Sequence, residues 1–426
     1  MVPEQPVHTV ASEQHRNFAG LRSPGEIIFG SGQRHALAQV VQRLGSRAFL
    51  CVDPHIAGSP ELDALTDGLR GAGITSGVYA DVVPELPTAN VMAAVTEARA
   101  HDADVVVAVG GGSSIDLAKV VSCLLAHGGE PADYYGEFGV PGPVLPLVAV
   151  PTTAGTGSEV TPVAVLTDSE RRLKVGISSP YLIPTVAICD PELTITCPPA
   201  VTAASGVDAL SHCIEALTAV RREPTATLMG ERVFIGRGRL TDQLALAGAS
   251  SIISGLHRAH AVPEDIRARE EVMYGSMLGG LAFGTAGTAA AHALQYPIGA
   301  ATKTPHGVGI GLLLPYVMEY NRGACIPEFA QLAQILGAED AEEETRARRA
   351  PGLVQSYVRK LGIPVSLKEI GFDDERIDWA AEQGLKSVRL AENNPVPLTV
   401  DGARRILQAA AHGDAQADKT SKEIAV

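Results

Sequence analysis

Asp208 and His212 stand four residues apart in the run GVDALSHCIEA (206–216). On a helix, residues at that spacing project from the same face, one turn apart. A second run, AHALQYPIGAATKTPHGVGIG (291–311), carries His292 and His306 in an apolar, Gly- and Ala-rich setting. One carboxylate and three imidazoles suffice for a divalent cation with a position left open for a substrate oxygen. Any one of these histidines alone reads more readily as a core or surface residue. Four candidate ligands in two compact stretches point to a common centre. His257 and His260, in LHRAH, form a rival pair, but they sit beside Arg258 in a polar helix end and read as solvated surface. Cys213 points to a different helix face from His212 and reads as packing.

A centre of this kind needs a partner layer, and the first half of the chain supplies one. Strand and helix patterns alternate: a helix over Gly32–Leu44, strand Arg47–Val52, helix Pro60–Gly71, strand Thr75–Ala80, helix Thr88–His101 and strand Asp104–Val109. Further strands are expected at Val144–Val150, Val163–Leu166, Leu173–Ile177 and Val186–Cys189. DVVVAV is β-branched and apolar on both faces, as in a buried parallel sheet. The alternation predicts an α/β domain with a mainly parallel sheet. After about Thr196 the patterns turn helical, so the expected organisation is residues 1–198 as an α/β dinucleotide-binding domain and 199–426 as an all-α metal-binding and substrate domain. The first 22 residues or so and the stretch from His412 onward are polar and read as loosely ordered.

The strand ending at Val109 runs into Gly110-Gly111-Gly112-Ser113-Ser114 and then an apolar helix. Glycines let backbone approach phosphates, and a helix N-terminus offers free N–H groups and a favourable dipole. An ordinary glycine turn would look the same, and the spacing is not GxGxxG. The loop PTTAGTGSE (151–159) shifts the balance, because it packs four hydroxyls and two glycines after another strand. Asp53 ends a strand and could accept hydrogen bonds from an adenosine ribose while repelling a 2′-phosphate, which favours NAD over NADP. A solvated turn aspartate ahead of Pro54 remains the alternative.

Composition narrows the partners. The chain has 426 residues, 46% of them hydrophobic, enough for a sizeable core and long enough for two domains. A net charge of −14 argues against nucleic acid. No apolar run reaches the roughly 18–20 residues that span a bilayer. No basic and apolar leader is visible at the start, and the six cysteines form no CxxC pair, so a cytoplasmic protein with reduced thiols is expected.

With these motifs in order, the chain resembles the iron-containing, or group III, alcohol dehydrogenases. The matching stretches are GGGSSIDLAK (110–119), PTTAGTGSEVT (151–161), GVDALSHCIEA (206–216) and AHALQYPIGAATKTPHGVGIGLLLPYVMEYN (291–321). The resemblance implies an active site in the cleft between the two domains, with Asp208, His212, His292 and His306 as ligands to Fe2+ or Zn2+. It implies NAD(P) contacts from Asp53, Gly110, Gly111, Gly112, Ser113, Asp116, Thr152, Thr153, Thr156 and Lys174. It further implies reversible hydride transfer between a small primary alcohol and its aldehyde, and at least a homodimer. A carbon–oxygen lyase resembling dehydroquinate synthase shares the layout, although its relatives use glutamate where this chain has Asp208. A non-catalytic NAD- or metal-binding regulator is a further alternative.

Two departures stand out. Many family members carry another histidine four residues after the first ligand of the long motif, and here that position is Tyr296. One helical turn beyond His292, its phenol should face the same cleft as a hydrogen-bond donor, unless it is simply a packing residue ahead of Pro297. The segment Gly230–Leu240 (GERVFIGRGRL) looks like an insertion. Lys303, three residues before His306, could pair with an acid group on the substrate; an exposed loop lysine is the alternative.

Overall fold

The structure, a computed structural model, describes residues 18–168, 173–413 and 415. Six strands, β1 (Glu26–Phe29), β2 (Arg47–Val52), β3 (Thr75–Tyr79), β4 (Val105–Gly110), β6 (Leu147–Pro151) and β9 (Val186–Cys189), form one all-parallel sheet in the order β1-β9-β6-β4-β2-β3. Every residue of β4 is buried, as its run of β-branched side chains requires in a sheet covered on both faces. Along β2, Leu50 and Val52 pack with Leu62, Leu65 and Leu69 of the helix Pro60–Gly71. Phe49 and Cys51 pack on the other face, with the helices Thr88–Ala100 and Gly112–His127.

The connections after β2 and β4 therefore leave on opposite faces. They open a crevice at the carboxyl ends of these two neighbouring strands, the topological switch point where ligands bind open α/β sheets. Asp53 and Gly110 flank this crevice. A Cβ on Gly110 would stand 2.9 Å from that of Asp53, so the two strand ends meet only because residue 110 lacks a side chain.

β7 (Val163–Asp168) and β8 (Leu173–Ser178) do not join this sheet. They pair antiparallel with each other, and β5 (Gly136–Glu137) adds to β8 in parallel. The connection between β7 and β8 is too short for a crossover, so hairpin pairing is the available geometry. The helix expected over Gly32–Leu44 is split into a 3-10 turn, Gln33–Ala36, and a short α-helix, Leu37–Gln42. The end of the N-terminal segment is held rather than loose. Arg22 Nη1 donates to Val233 O at 2.6 Å, and its backbone N–H to Thr285 Oγ1 at 3.0 Å. Residues 1–17 and nearly all of the stretch after His412 lie outside the described residues.

From Pro199 onward, the regular elements among the described residues are helices. The helix Pro199–Thr218 is central: it packs against Arg239–Ala261, Ile266–Ala286 and His306–Asn321. One continuous core joins Ala154, Val160 and Cys189 of the sheet layer to Val207, Leu210 and Cys213 of this helix. Cys213 thus packs in the interior, as expected. His257 is half-exposed, and beyond the solvated position expected its ring stacks on Tyr357 with centroids 4.1 Å apart and Nε2 lies 3.0 Å from Tyr357 O.

A buried lysine locks the glycine-loop helix to the threonine loop. Lys119 is fully buried, and its ammonium donates to Ser158 Oγ (2.9 Å), Thr161 O (2.9 Å), Thr161 Oγ1 (3.2 Å) and Val163 O (2.7 Å). It ties the helix that follows the glycine loop to the end of the threonine loop. Lys119→Met would leave these acceptors without a donor, at a cost of about 2–4 kcal/mol of folding stability. Urea unfolding measures it, and a loss below about 0.5 kcal/mol would contradict the locking role.

Candidate active site

The helix Pro199–Thr218 places Asp208, His212 and, one turn further, Glu215 in a buried row. Ala290–Thr302 supplies His292, and His306 opens the helix His306–Asn321 behind Pro305. Asp208 Oδ1 lies 3.8 Å from His212 Nε2, 3.8 Å from His292 Nε2 and 3.7 Å from His306 Nε2. His212 Nε2 and His292 Nε2 are 3.2 Å apart. Ligand atoms about 2.0–2.2 Å from a tetrahedral ion stand about 3.3–3.6 Å from one another, close to this spacing. Asp208 Oδ1 is buried and has no hydrogen-bond partner. A carboxylate oxygen so placed is costly unless a cation neutralises it. Asp208, His212 and His292 bring ligand atoms within 4.8 Å of one another and could hold a divalent metal, with His306 Nε2 approaching Asp208 from a further helix. Gly307 lets the start of the His306 helix approach the central helix, since a Cβ there would stand 2.1 Å from Ala204 O.

Two side chains that sequence reading missed orient the imidazoles. His292 Nδ1 is 2.5 Å from Glu215 Oε2, so Nδ1 carries the proton and Nε2 keeps its lone pair for the metal. Glu215 also accepts the backbone N–H of Ala289 (2.9 Å) and of Ala291 (2.7 Å), capping the ligand helix. Burial raises the Glu215 carboxyl, but His292 and these amides outweigh it and hold the group ionised. Burial lowers His292, and Glu215 more than reverses the effect. His306 Nδ1 donates to Gln295 Oε1 at 2.8 Å, which leaves its Nε2 facing Asp208. His212 is kept neutral, first by burial and then by His292. It stacks on Phe283 with ring centroids 4.1 Å apart. The i+7 spacing of Glu215 from Asp208 was the available signal: it puts the carboxylate on the ligand face, two turns along.

The two phosphate-side loops form one cradle. A Cβ on Gly111 would stand 3.2 Å from Thr153 Oγ1, and one on Gly112 would stand 2.6 Å from Thr156 Cγ2. Thr152 N–H donates to Gly110 O at 3.1 Å. Gly112 and Ser113 open the helix Gly112–His127, where the first amides have no intrahelical acceptor. Asp116 and Ser158 lie beneath the cradle. Asp116 Oδ1 accepts from Ser158 Oγ at 2.5 Å and Oδ2 from Val165 N–H at 2.9 Å, so both its oxygens are already engaged. Asp53 Oδ1 accepts from His55 N–H at 2.9 Å, the turn contact expected before Pro54–His55, while the residue also borders Gly110. Lys174 on β8 has a loose 3.8 Å contact with Glu85, and its charge has a minor lowering effect on both Asp116 and His306. Gly155 joins the two sides: a Cβ there would stand 2.7 Å from Ser205 Cβ, and its backbone faces the His212 ring.

Tyr296 and Lys303 part company. The Tyr296 ring stacks beside His306, with centroids 6.1 Å apart, so it faces the metal side of the cleft. Burial raises its phenol, against the lowering effect of Arg389, and it stays a donor at neutral pH. Lys303 is exposed and closes the ligand helix in a left-handed conformation, with φ of 62°. Its ammonium makes no ion pair among the described residues.

Glu215 generates the sharpest prediction here. Glu215→Gln keeps the size but loses the charge that fixes the His292 tautomer, and it should weaken metal affinity by about 10–100-fold. Competitive chelator titration measures this, with helical content checked by circular dichroism. Unchanged affinity in a folded variant would rule out the orienting role.

Comparison with known proteins agrees with this geometry. Residues 24–191 match the family described as iron-containing alcohol dehydrogenase, and residues 202–411 match the C-terminal region of the Fe-containing alcohol dehydrogenase family. The chain is 37% identical to long-chain-alcohol dehydrogenase 1 of Geobacillus thermodenitrificans, over 90% of this chain and 94% of that protein. It is 31% identical to sulfoacetaldehyde reductase of Bilophila wadsworthia, over 90% of this chain and 97% of that one. The crystal structure of a 1,3-propanediol oxidoreductase superposes with a TM-score of 0.86 at 31% identity, covering 92% of this chain and 100% of that one. The chain belongs to the iron-containing alcohol dehydrogenase family and is an NAD-dependent enzyme that interconverts alcohols and aldehydes.

Proposed function

We propose that the enzyme uses NAD in preference to NADP and holds Fe2+ at Asp208, His212, His292 and His306, in a cytoplasmic homo-oligomer. The observation that carries the metal reading is the buried, partnerless Asp208 Oδ1, nearly equidistant from three imidazole nitrogens. The carboxylate-plus-imidazole donor set suits Fe2+ and also accepts Zn2+. The NAD preference rests on the Asp53 carboxylate beside Gly110, which would accept from ribose hydroxyls and repel a 2′-phosphate. The cellular location is supported by six free cysteines, five of them buried, and by the lack of any helix among the described residues long and apolar enough to cross a membrane. The homo-oligomer rests on the family resemblance alone. Family membership leaves the lyase and regulator alternatives without support.

When bound, the metal supplies Lewis-acid polarisation of a substrate oxygen, and the nicotinamide gives or takes hydride. The protein's own part is positional. Glu215 and Gln295 fix the imidazoles. Phe283 covers His212 and helps to exclude water. Tyr296 presents a protonated phenol where many relatives have histidine, so it can donate a hydrogen bond to the reacting oxygen but is a poor base. The glycine and threonine loops would hold a pyrophosphate, next to the Gly155 turn whose backbone faces His212.

Absorbance of NADH over a panel of primary alcohols tests this reading. Chelation should abolish turnover and added Fe2+ should restore it; full activity without metal would sink the ligand assignment. Asp53→Gly should relax the preference for NAD, and equal use of both cofactors by the unmodified enzyme would contradict the charge argument. Tyr296→Phe should lower kcat while metal content holds. Loss of metal in that variant would instead assign the tyrosine a structural role.

A further inference from the structure

The family's relatives act on substrates as different as a long-chain alcohol and sulfoacetaldehyde, so membership leaves the far end of the substrate open. The charges around the cleft bear on it. The short helix Val388–Glu392 packs across Ala290–Thr302, which carries His292 and Tyr296. Asn393 pins it there, its Nδ2 donating to Ala286 O at 3.0 Å and to Thr288 O at 3.1 Å, just ahead of the ligand helix. Arg389 on this short helix rests its guanidinium over the Phe234 ring, 4.1 Å from the ring centre. Phe234 belongs to the segment 230–240 that looks inserted in the sequence. Arg389 Nη1 is buried and has no hydrogen-bond partner. Stacking positions the fork without consuming its donors, and a buried N–H left unmade is costly unless a ligand accepts it. Arg389 is close enough for its charge to act on Tyr296 and His292.

The carboxylates nearest to it, Glu137 and Glu215, also serve other groups. Glu137 serves Arg22, Arg222 and Arg389 together, and one of its oxygens already accepts from Val233 N–H at 2.8 Å. Glu392 is shared between Arg222 and Arg232, the latter at 3.9 Å. Glu215 is engaged with His292 and two amides. Arg22 spends its guanidinium on the carbonyls of Met229, Arg232 and Val233. Arg389 therefore keeps an unpartnered donor on the short helix that packs across the helix of His292 and Tyr296, in a protein whose net charge is −14.

We propose that the preferred substrate is an aldehyde or alcohol bearing a carboxylate, sulfonate or phosphonate, and that Arg389 pairs with this acid group while the reacting oxygen lies at the metal centre. The proposal rests on the alcohol dehydrogenase reading above and assigns to Arg389 the role that sequence spacing suggested for Lys303. A guanidinium fork pairs with such oxyanions through two parallel hydrogen bonds, which sets both affinity and orientation.

The test compares kcat/KM of metal-loaded enzyme with NADH for succinic semialdehyde against butanal, and for sulfoacetaldehyde against propanal. The unmodified enzyme should favour the acidic member of at least one pair by roughly tenfold or more. Arg389→Met should lower that acid-to-neutral ratio by about 30-fold, mainly through KM, and Arg389→Lys should recover part of it. Lys303→Met should move the ratio by less than about twofold. Metal content and butanal turnover show whether each variant is folded. Preference for the neutral member of both pairs, an equal loss for both classes in Arg389→Met, or a larger shift in Lys303→Met than in Arg389→Met would each overturn the proposal. Turnover of neutral aldehydes alone overturns it while the dehydrogenase reading stands; absence of NADH oxidation with every aldehyde overturns both.

Discussion

The Glu215 carboxylate is the constraint on which the metal side of this enzyme depends. Its charge caps the helix Ala290–Thr302 at the amides of Ala289 and Ala291, and the same group receives the Nδ1 proton of His292. Where the helix begins and which nitrogen of its histidine is free are thus decided by one side chain. That side chain belongs to the helix that also carries Asp208 and His212, so two separate elements are joined in a single register. A buried carboxylate with three good donors is stable in its ionised form, and it can hold this geometry before any metal arrives.

The nucleotide side is organised by a similar economy. Lys119 and Asp116 lie beneath the cradle and bind the glycine-loop helix to Ser158, Thr161, Val163 and Val165. They build the floor on which the loops rest. The loops then meet at close range, with Thr153 laid over Gly111 and Thr156 over Gly112, where a side chain on residue 112 would clash. The Gly155 turn presses on the central helix beside His212, so the threonine loop and the Asp208–His212 face share a wall. Hydride transfer depends on holding two reactants within contact distance, and a shared rigid wall supplies that placement.

The charge pattern adds a third layer. An acidic protein places several arginines around Glu137 and Glu392, next to a site whose own ligands already include one carboxylate. Aromatic stacking against Phe234 helps a cation to sit there beside carboxylates that it shares with other groups. The apparent insertion in the sequence is the segment that provides that ring, and Arg22 stitches it to the end of the helix Ile266–Ala286.

Much of this could be read from residues alone because it is local. The i, i+4 spacing of Asp208 and His212, the β-branched run of β4 and the glycine loop behind it each follow from periodicity and backbone freedom within a few positions. Even Glu215 was signalled, two turns along the ligand face, though its partner was not. What the tertiary structure decided involves residues far apart in the chain. Nothing near Asp116 shows that Ser158 and Val165 each bond one of its oxygens. Nothing near His257 announces Tyr357, and β7 and β8 read as sheet strands until their pairing partners are known. Lys303 and Arg389 make the same point in opposite directions. The lysine is near a ligand in sequence but exposed, whereas the arginine lies 83 residues beyond His306 and packs beside the ligand helix. Sequence spacing reports which face of one element a side chain shares, but only packing between elements decides which charges are left without a partner.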